Sequence, residues 1–289
     1  MKRSIGERVF GVFNHLFMIC LGMVTLYPIL NVLAVSFSDN SSVMRGMVSV
    51  YPIGFNFSAY SYLLRFGTIA TGYRNTLFVL VMGTTINVLL TSMTAYGLSK
   101  QNLPGGRFIM VFITFTMLFN GGLIPHFLLV KSLDLINSLW ALILPGSISV
   151  FNLIVLKSFF QKVPHELIEA ASVDGLSELG ILFRIVIPLS TAAMATIGLF
   201  YAVGHWNSFF SAVLYLNQKT KWTLQVVLRD ILFMMDMSQA NMGGEMISTL
   251  PIESLKRAAI VVTTFPMLLV YPFIQKYFVK GLTIGSVKG

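Results

Sequence analysis

The chain alternates long apolar runs with short charged ones. Cutting it wherever Asp, Glu, Lys or Arg occurs leaves, among others, uncharged apolar intervals at 9–38, 75–99, 108–130, 135–156, 185–218 and 258–275. Each is close to or above the roughly 20 residues that a helix needs to cross a bilayer. The interval 185–218 is too long for one crossing, and Pro188 near its start places the expected span after the proline, at 189–216. The pattern therefore predicts an all-α, polytopic membrane protein. Its six transmembrane helices fall at about 9–38, 75–99, 108–130, 135–156, 189–216 and 258–275, in a single domain covering 1–289. The first apolar run far exceeds the 7 to 15 residues of a signal-peptide core and is read as a span.

Composition closes off the soluble alternative. Only 11% of the 289 residues are charged and 55% are hydrophobic, against about 25% charged in soluble domains, and the mean hydropathy is +0.78. Basic residues set the orientation. With both termini inside, eleven of the twenty Lys and Arg fall in short cytoplasmic segments and nine in longer external ones. The long external segments are then 39–74 and 219–257, and the one sizeable cytoplasmic loop is 157–184. Residues 99–107 make a tight inside turn on Pro104-Gly105-Gly106. The external segment 219–257 has two open readings, a docking surface for an external protein or, through Ile231 to Met235, a helix lying on the membrane.

Several chemistries are disfavoured. One cysteine, Cys20, cannot form an internal disulfide, and no His and Cys cluster has metal-ligand spacing, so no metal is expected. No acid lies inside a span, whereas ion-coupled carriers usually place one there. The nearest approach to a phosphate-binding loop, Gly175 to Gly180, is followed by Ile181 and Leu182 rather than by Lys and Ser or Thr. Hydrolase signatures are also missing, so the chain is not expected to be an enzyme or to bind a cofactor. His15, His126 and His205 fall within or near spans, each within reach of a helix end. His165 reads as a solvated helix-start residue.

The cytoplasmic loop is the most informative stretch. From Pro164 to Val173 it begins like a helix, with a proline at the start and acids in the first turn. Asp174-Gly175 breaks it. Ser177 is a good N-cap for a second short helix running through Phe183 toward Pro188. Small residues Ala170 and Ala171 beside Glu169 would let a partner approach the backbone closely. Taken alone, the stretch could equally be an amphipathic connector resting on the membrane.

The residues Glu169-Ala170-Ala171, Asp174-Gly175, Phe183 and Ile187-Pro188-Leu189 resemble the EAA loop of bacterial ABC-importer permeases, with its spacing, over about 163–188. The resemblance extends along most of the chain. Asn75-Thr76-Leu77, Ala95 to Ser99, Phe119 to Pro125, Ile143 to Gly146, Trp206-Asn207-Ser208, Thr223-Leu224-Gln225 and the ending from Gly281 to Gly289 look like the carbohydrate-importer branch. Gly-Gly-Leu-Ile-Pro and Tyr271-Pro272-Phe273 look like its oligosaccharide and polysaccharide subgroup. Where relatives often carry a second proline after the loop, this chain has Thr191-Ala192-Ala193.

The resemblance implies a type I importer permease of the bacterial inner membrane. Its expected partners are a second, homologous permease subunit, two ATPase subunits that bind ATP with Mg, an external sugar-binding protein, an oligosaccharide substrate and membrane lipid, with no nucleic acid. Glu169, Ala170, Ala171, Asp174, Gly175 and Lys288 are the implied coupling residues. Sugar sites pair aromatic faces with hydrogen-bonding side chains, which makes Asn120, Tyr201, Trp206 and Asn207 candidates for the substrate pathway. A membrane scaffold or receptor without transport is the alternative, and a secondary sugar carrier stands behind it. Basic external residues such as Arg45, Arg65, Arg74, Lys219, Lys221 and Arg229 favour an acidic cargo, an alginate or pectin fragment, although orientation alone accounts for eleven of the twenty basic residues.

Overall fold

Helices take up most of the apolar sequence because a backbone inside lipid must satisfy its own hydrogen bonds. The computed structural model describes residues 5–65, 67–100, 102–119, 121–241 and 252–286, and no strand occurs among them. The helices are α1 (Ile5–Ser36), α2 (Asn40–Met44), α3 (Ser58–Arg65), α4 (Gly67–Ser99), α5 (Gly106–Leu118), α6 (Leu123–Ser132) and α7 (Val150–Phe160). They continue with α8 (His165–Val173), α9 (Glu178–Ile181), α10 (Ile187–Leu189), α11 (Thr191–Trp206), α12 (Phe210–Tyr215), α13 (Leu224–Asn241) and α14 (Ile252–Ser286).

Two of these, Phe10–Ser36 within α1 and the whole of α4, are by themselves long and apolar enough to cross a membrane, and two bent helix pairs raise the number to as many as four among the described residues. The first stretch buries none of its most apolar window within the chain, and Phe10, Phe13, Met23 and Val24 are exposed along it. Lipid or a partner helix, not water, has to cover such a surface.

Three apolar intervals are not the single helices that their composition predicts. Interval 108–130 divides into α5 and α6, and Gly122 at φ 92 caps the second. In 135–156 the backbone of Asn137 is left-handed, a short 3₁₀ turn covers Leu139–Leu142, and Pro145-Gly146 intervenes before Ser149 caps α7. At 11 residues, α7 is about 16 Å long, half of a hydrocarbon core. The interval after Pro188 bends by 91° between Glu178–Leu189 and Thr191–Trp206. That bend falls at Ser190 rather than at the proline, and the following helix stops at Trp206 rather than at 216. In the first two cases glycine, proline or a capping serine interrupts the run, whereas Ser190 sits at the bend without a side-chain cap; hydropathy measures partition and is blind to backbone direction.

Contacts divide the chain into two compact units, Met1–Ile69 with Leu228–Pro266, and Ala70–Val227 with Met267–Gly289. In the first unit, residues 37–60 fold back on the end of α1. Ser36 hydrogen-bonds the Tyr60 hydroxyl at 2.8 Å, Asn31 donates to the Ser49 carbonyl at 2.8 Å, and Phe37 stacks on Tyr60 and Phe55 at 4.8 and 5.5 Å. Asp39 caps α2, accepting from the Ser42 amide at 3.1 Å and from the Ser41 hydroxyl. These hydrogen bonds hold its carboxyl down at about 2. Lys256 of α14 reaches Asp236 of α13 at 2.7 Å and Glu253 at 2.9 Å.

The second unit is organised along α4, whose 33 residues make a rod about 50 Å long. Near its start, Val79 packs with Val130, Ile143, Tyr215, Leu216 and Val226. Near its end, Ala95 and Tyr96 join a second cluster with Leu153, Leu156, Phe160, Ile181, Leu182, Val186 and Ile197. Between them the same helix carries Gly83, Thr84, Asn87 and Thr91, a polar stripe at helical spacing.

Candidate functional site

The loop after α7 folds as two short helices joined by a tight turn. Pro164 precedes α8, and His165 and Glu169 pair one turn apart at 3.0 Å. At the other end the Leu176 amide bonds the Ala171 carbonyl at 3.0 Å and the Gly175 amide bonds the Ser172 carbonyl at 3.1 Å. With Gly175 at φ 81, this is the double-bonded helix stop that a left-handed residue closes. Ser177 then accepts from the Gly180 amide at 3.2 Å and starts α9, which continues through a π turn, Leu182–Val186, into α10. The helix, break and second helix read from the sequence are all present, with Pro164 standing one residue before the helix rather than within it.

Packing gives the two alanines of this loop different surroundings. Ala171 is 4% exposed and lies in the second core cluster, flanked by Ile168 and Leu176. Ala170 is exposed, as are Leu167, Glu169 and Asp174, and Val173 is 88% exposed. An apolar stripe, Leu167, Ala170 and Val173, therefore faces outward while Ala171 faces the chain's own core. Ile181, Leu182 and Val186 fix the second helix to α4, α7 and α11, each worth about 1.5–3 kcal/mol of burial.

A polar clamp adds to this packing. Glu178 accepts from the Tyr96 hydroxyl at 2.8 Å and pairs with Lys100 at 2.5 Å, so the end of α4 is tied to the start of α9. The Lys100 ammonium and then the Tyr96 hydroxyl hold the Glu178 carboxyl below its usual range. The pair is largely exposed and is worth under about 1 kcal/mol, so burial, not charge, carries the attachment. Between α4 and α8 a groove of about 870 Å³ is lined by Tyr96, Lys100, Phe160, Glu166, Glu169 and Glu178, among others.

A second opening, of about 470 Å³, lies where the polar stripe of α4 meets α7 and α11. Its lining includes Asn87, Ser149, Asn152, Tyr201 and His205 together with Phe151 and Phe200. Asn87 donates to His205 Nε2 at 3.0 Å. The Tyr201 hydroxyl accepts from the Ser149 amide at 2.8 Å and bonds the Thr91 hydroxyl at 2.7 Å.

Of the pathway candidates, the structure brings Tyr201 to this opening, where it shapes the wall. Trp206 is 4% exposed, meets the Tyr73 ring edge-on at 6.3 Å and does not line the opening. Asn207 is exposed at the end of α11, its amide bonded to the Val203 carbonyl at 3.1 Å. Asn120 and Lys288 lie outside the described residues. Asn87, Ser149 and Asn152 also line the opening, although the sequence pattern singles out none of them. The available signal was an asparagine inside an uncharged apolar run, since an amide there has no water and needs a partner or a ligand. Among the described residues no group of His, Cys, Asp and Glu could hold a metal ion. The apolar stretch Ile231 to Met235 lies inside α13, with Phe233 and Met234 exposed, which leaves both readings of that segment open.

The chain is 46% identical to the polygalacturonan/rhamnogalacturonan transport system permease protein YtcP of Bacillus subtilis, over 98% of this chain and 99% of that one. It is 44% identical to protein LplC of the same organism, over 100% and 98%. A crystal structure of a bacterial ABC transporter involved in the import of the acidic polysaccharide alginate superimposes with a TM-score of 0.88 at 33% identity, covering 96% of this chain and 99% of that one. Residues 8–284 match the family of binding-protein-dependent transport system inner membrane components, and the chain belongs to that family: it is a transport permease component of the inner membrane.

Proposed function

We propose that this chain forms half of the translocation pathway of an ATP-driven oligosaccharide importer, with a second permease, two ATPase subunits and an external binding protein as its partners. Six crossings fit the elements if α5 with α6, and the segment from Leu139 to Phe160, each count as one, and both termini then face the cytoplasm. The single observation that carries the reading is the two-helix loop. Its inner face is fixed to α4, α7 and α11 through Ala171, Ile181, Leu182 and Val186, while Leu167, Ala170 and Val173 are exposed. A lever has this construction, one face rigid with the spans and the other open to a motor, so that ATPase movement passes to the helices as a rigid-body displacement. Glu169, Ala170, Asp174 and Gly175 are then the coupling residues at the motor, with Ala171 anchoring the lever from behind and Lys288 expected at an ATPase subunit.

The relatives' names favour a uronate-rich cargo such as a pectin or alginate fragment. In proteoliposomes, the assembled complex should take up a galacturonate trisaccharide only when binding protein and ATP are both present. Gly175→Leu, which forces a side chain into a left-handed position at a cost of about 1–2 kcal/mol, should abolish sugar-stimulated ATPase activity while the chain still inserts. Assembly of the complex without uptake of any oligosaccharide would favour the scaffold reading instead. A photoreactive residue at 288 that labelled only lipid would remove the tail from the ATPase contact.

A further inference from the structure

The segment that folds back on the end of α1 presents an apolar surface in a fixed position. Its backbone is fastened at both sides: the Asp39 amide bonds the Ile53 carbonyl at 3.0 Å, and the Asn56 amide bonds the Phe37 carbonyl at 2.9 Å. The Ile53 amide donates to the Ser38 hydroxyl at 3.0 Å. Met47, Val50, Tyr51, Phe55 and Phe57 are nonetheless between 44% and 68% exposed, and a segment so fastened cannot turn them inward. Water is a poor cover for five large apolar side chains on one short segment. Residues 46–64 carry no charged side chain at all, and Arg45 and Arg65 stand at their two ends.

Depth decides what covers this surface. The apolar stretch Phe10–Ser36 has 27 residues, about 40 Å of helix, which exceeds a hydrocarbon core of about 30 Å by about 5 Å at each end. Asn31 lies about 7.5 Å along the axis before Ser36, close to where acyl chains meet headgroups. Its 2.8 Å bond to the Ser49 carbonyl holds the neighbouring Met47, Val50 and Tyr51 near that level. A protein arriving from the water would have to pass the headgroups to reach them.

We propose that residues 46–57 form an interfacial anchor, seated in the phospholipid headgroup region at the Ser36 end of α1 with Tyr51, Phe55 and Phe57 at the acyl boundary. Aromatic rings favour that zone because it offers an apolar body and water within reach of a hydroxyl. The leaflet is the external one in the orientation proposed above, but the anchor itself depends only on α1 crossing the membrane. Since the fold-back is bonded to α1 at Asn31 and Ser36, the anchor sets the depth of that helix.

The test uses the assembled complex, with Cys20, the chain's only cysteine, changed to alanine and the partner subunits freed of cysteine, in vesicles of phosphatidylglycerol and phosphatidylethanolamine. Met47→Cys and Tyr51→Cys, outside the ring stack of Phe37, Phe55, Phe57 and Tyr60, each carry a nitroxide. Power saturation compares its collisions with oxygen and with a water-soluble nickel chelate, calibrated by lipids spin-labelled at known depths. Both positions should favour oxygen and lie within about 10 Å beneath the phosphates, with and without the external binding protein. Labels that favoured the nickel chelate would put the segment in water and overturn the anchor. So would labels shielded from both reagents, or shielded once the binding protein is added, since either marks a protein surface. Val24→Cys in mid-span is the control: a nitroxide there that favoured the chelate would overturn the placement of α1, and the anchor with it.

Discussion

His205 lies against Gly83: a Cβ placed on Gly83 would fall 2.5 Å from His205 Nε2 and 2.7 Å from Cε1. Only a glycine lets the imidazole approach α4 closely enough to accept from Asn87, one turn further along. Gly83→Ala should push the ring away, losing a hydrogen bond worth about 1 kcal/mol and adding overpacking of about 1–3 kcal/mol. The purified complex should melt a few degrees lower by tryptophan fluorescence, and an unchanged melting temperature would show that the ring has room to retreat.

The two alanines of the loop after α7 should behave differently although they are adjacent. Ala171→Trp adds a large ring inside the core that fixes the loop to the spans, so it should lower thermal stability and the yield of the complex. Ala170→Trp projects from the exposed face and should spare both while abolishing sugar-stimulated ATPase activity. If Ala170→Trp retained full stimulation, the outward stripe would not be the motor contact.

Glu178 gives the clamp a pH dependence of known sign. Its carboxyl is held below the usual 4.5 by Lys100 and Tyr96, so the stabilisation is complete above 4.5 and is lost as the pH falls through the lower, folded value. In a double-mutant cycle, Lys100→Met against Glu178→Gln should give a coupling below about 1 kcal/mol at pH 7. In acid that coupling should fade, and one that persisted undiminished would mean that the contact is not ionic.

Asp39 is a cap held in its ionised form. With its carboxyl at about 2 instead of 3.8, the cap contributes at every pH above 3.8 and is lost only as the pH falls toward 2. Asp39→Ala should speed tryptic cleavage after Arg45, whereas Asp39→Asn, another good capping residue, should not. Gly54→Ala should resemble the alanine variant, because at φ 64 a Cβ would collide with the Asp39 carboxylate.

Hydropathy and punctuation, both local, were enough to read a mostly helical membrane chain and the shape of the two-helix loop after α7. The stop at Gly175 and the start at Ser177 depend only on neighbouring residues, and Glu169-Ala170-Ala171 with Asp174-Gly175 carried the family resemblance. Direction was not local. Whether 108–130 and the segment after Pro188 run straight depends on how Gly122 and Ser190 are placed by what surrounds them, and apolar content gives no angle. Nor could sequence tell Ala170 from Ala171, since which one faces the core is fixed by Tyr96, Phe160 and Ile181 arriving from other helices. Trp206 belongs to packing against Tyr73, while Asn87 and His205, 118 positions apart, meet only because α4 and α11 are packed together. A contact of that kind is a property of the packed helices, and no window of the sequence contains it.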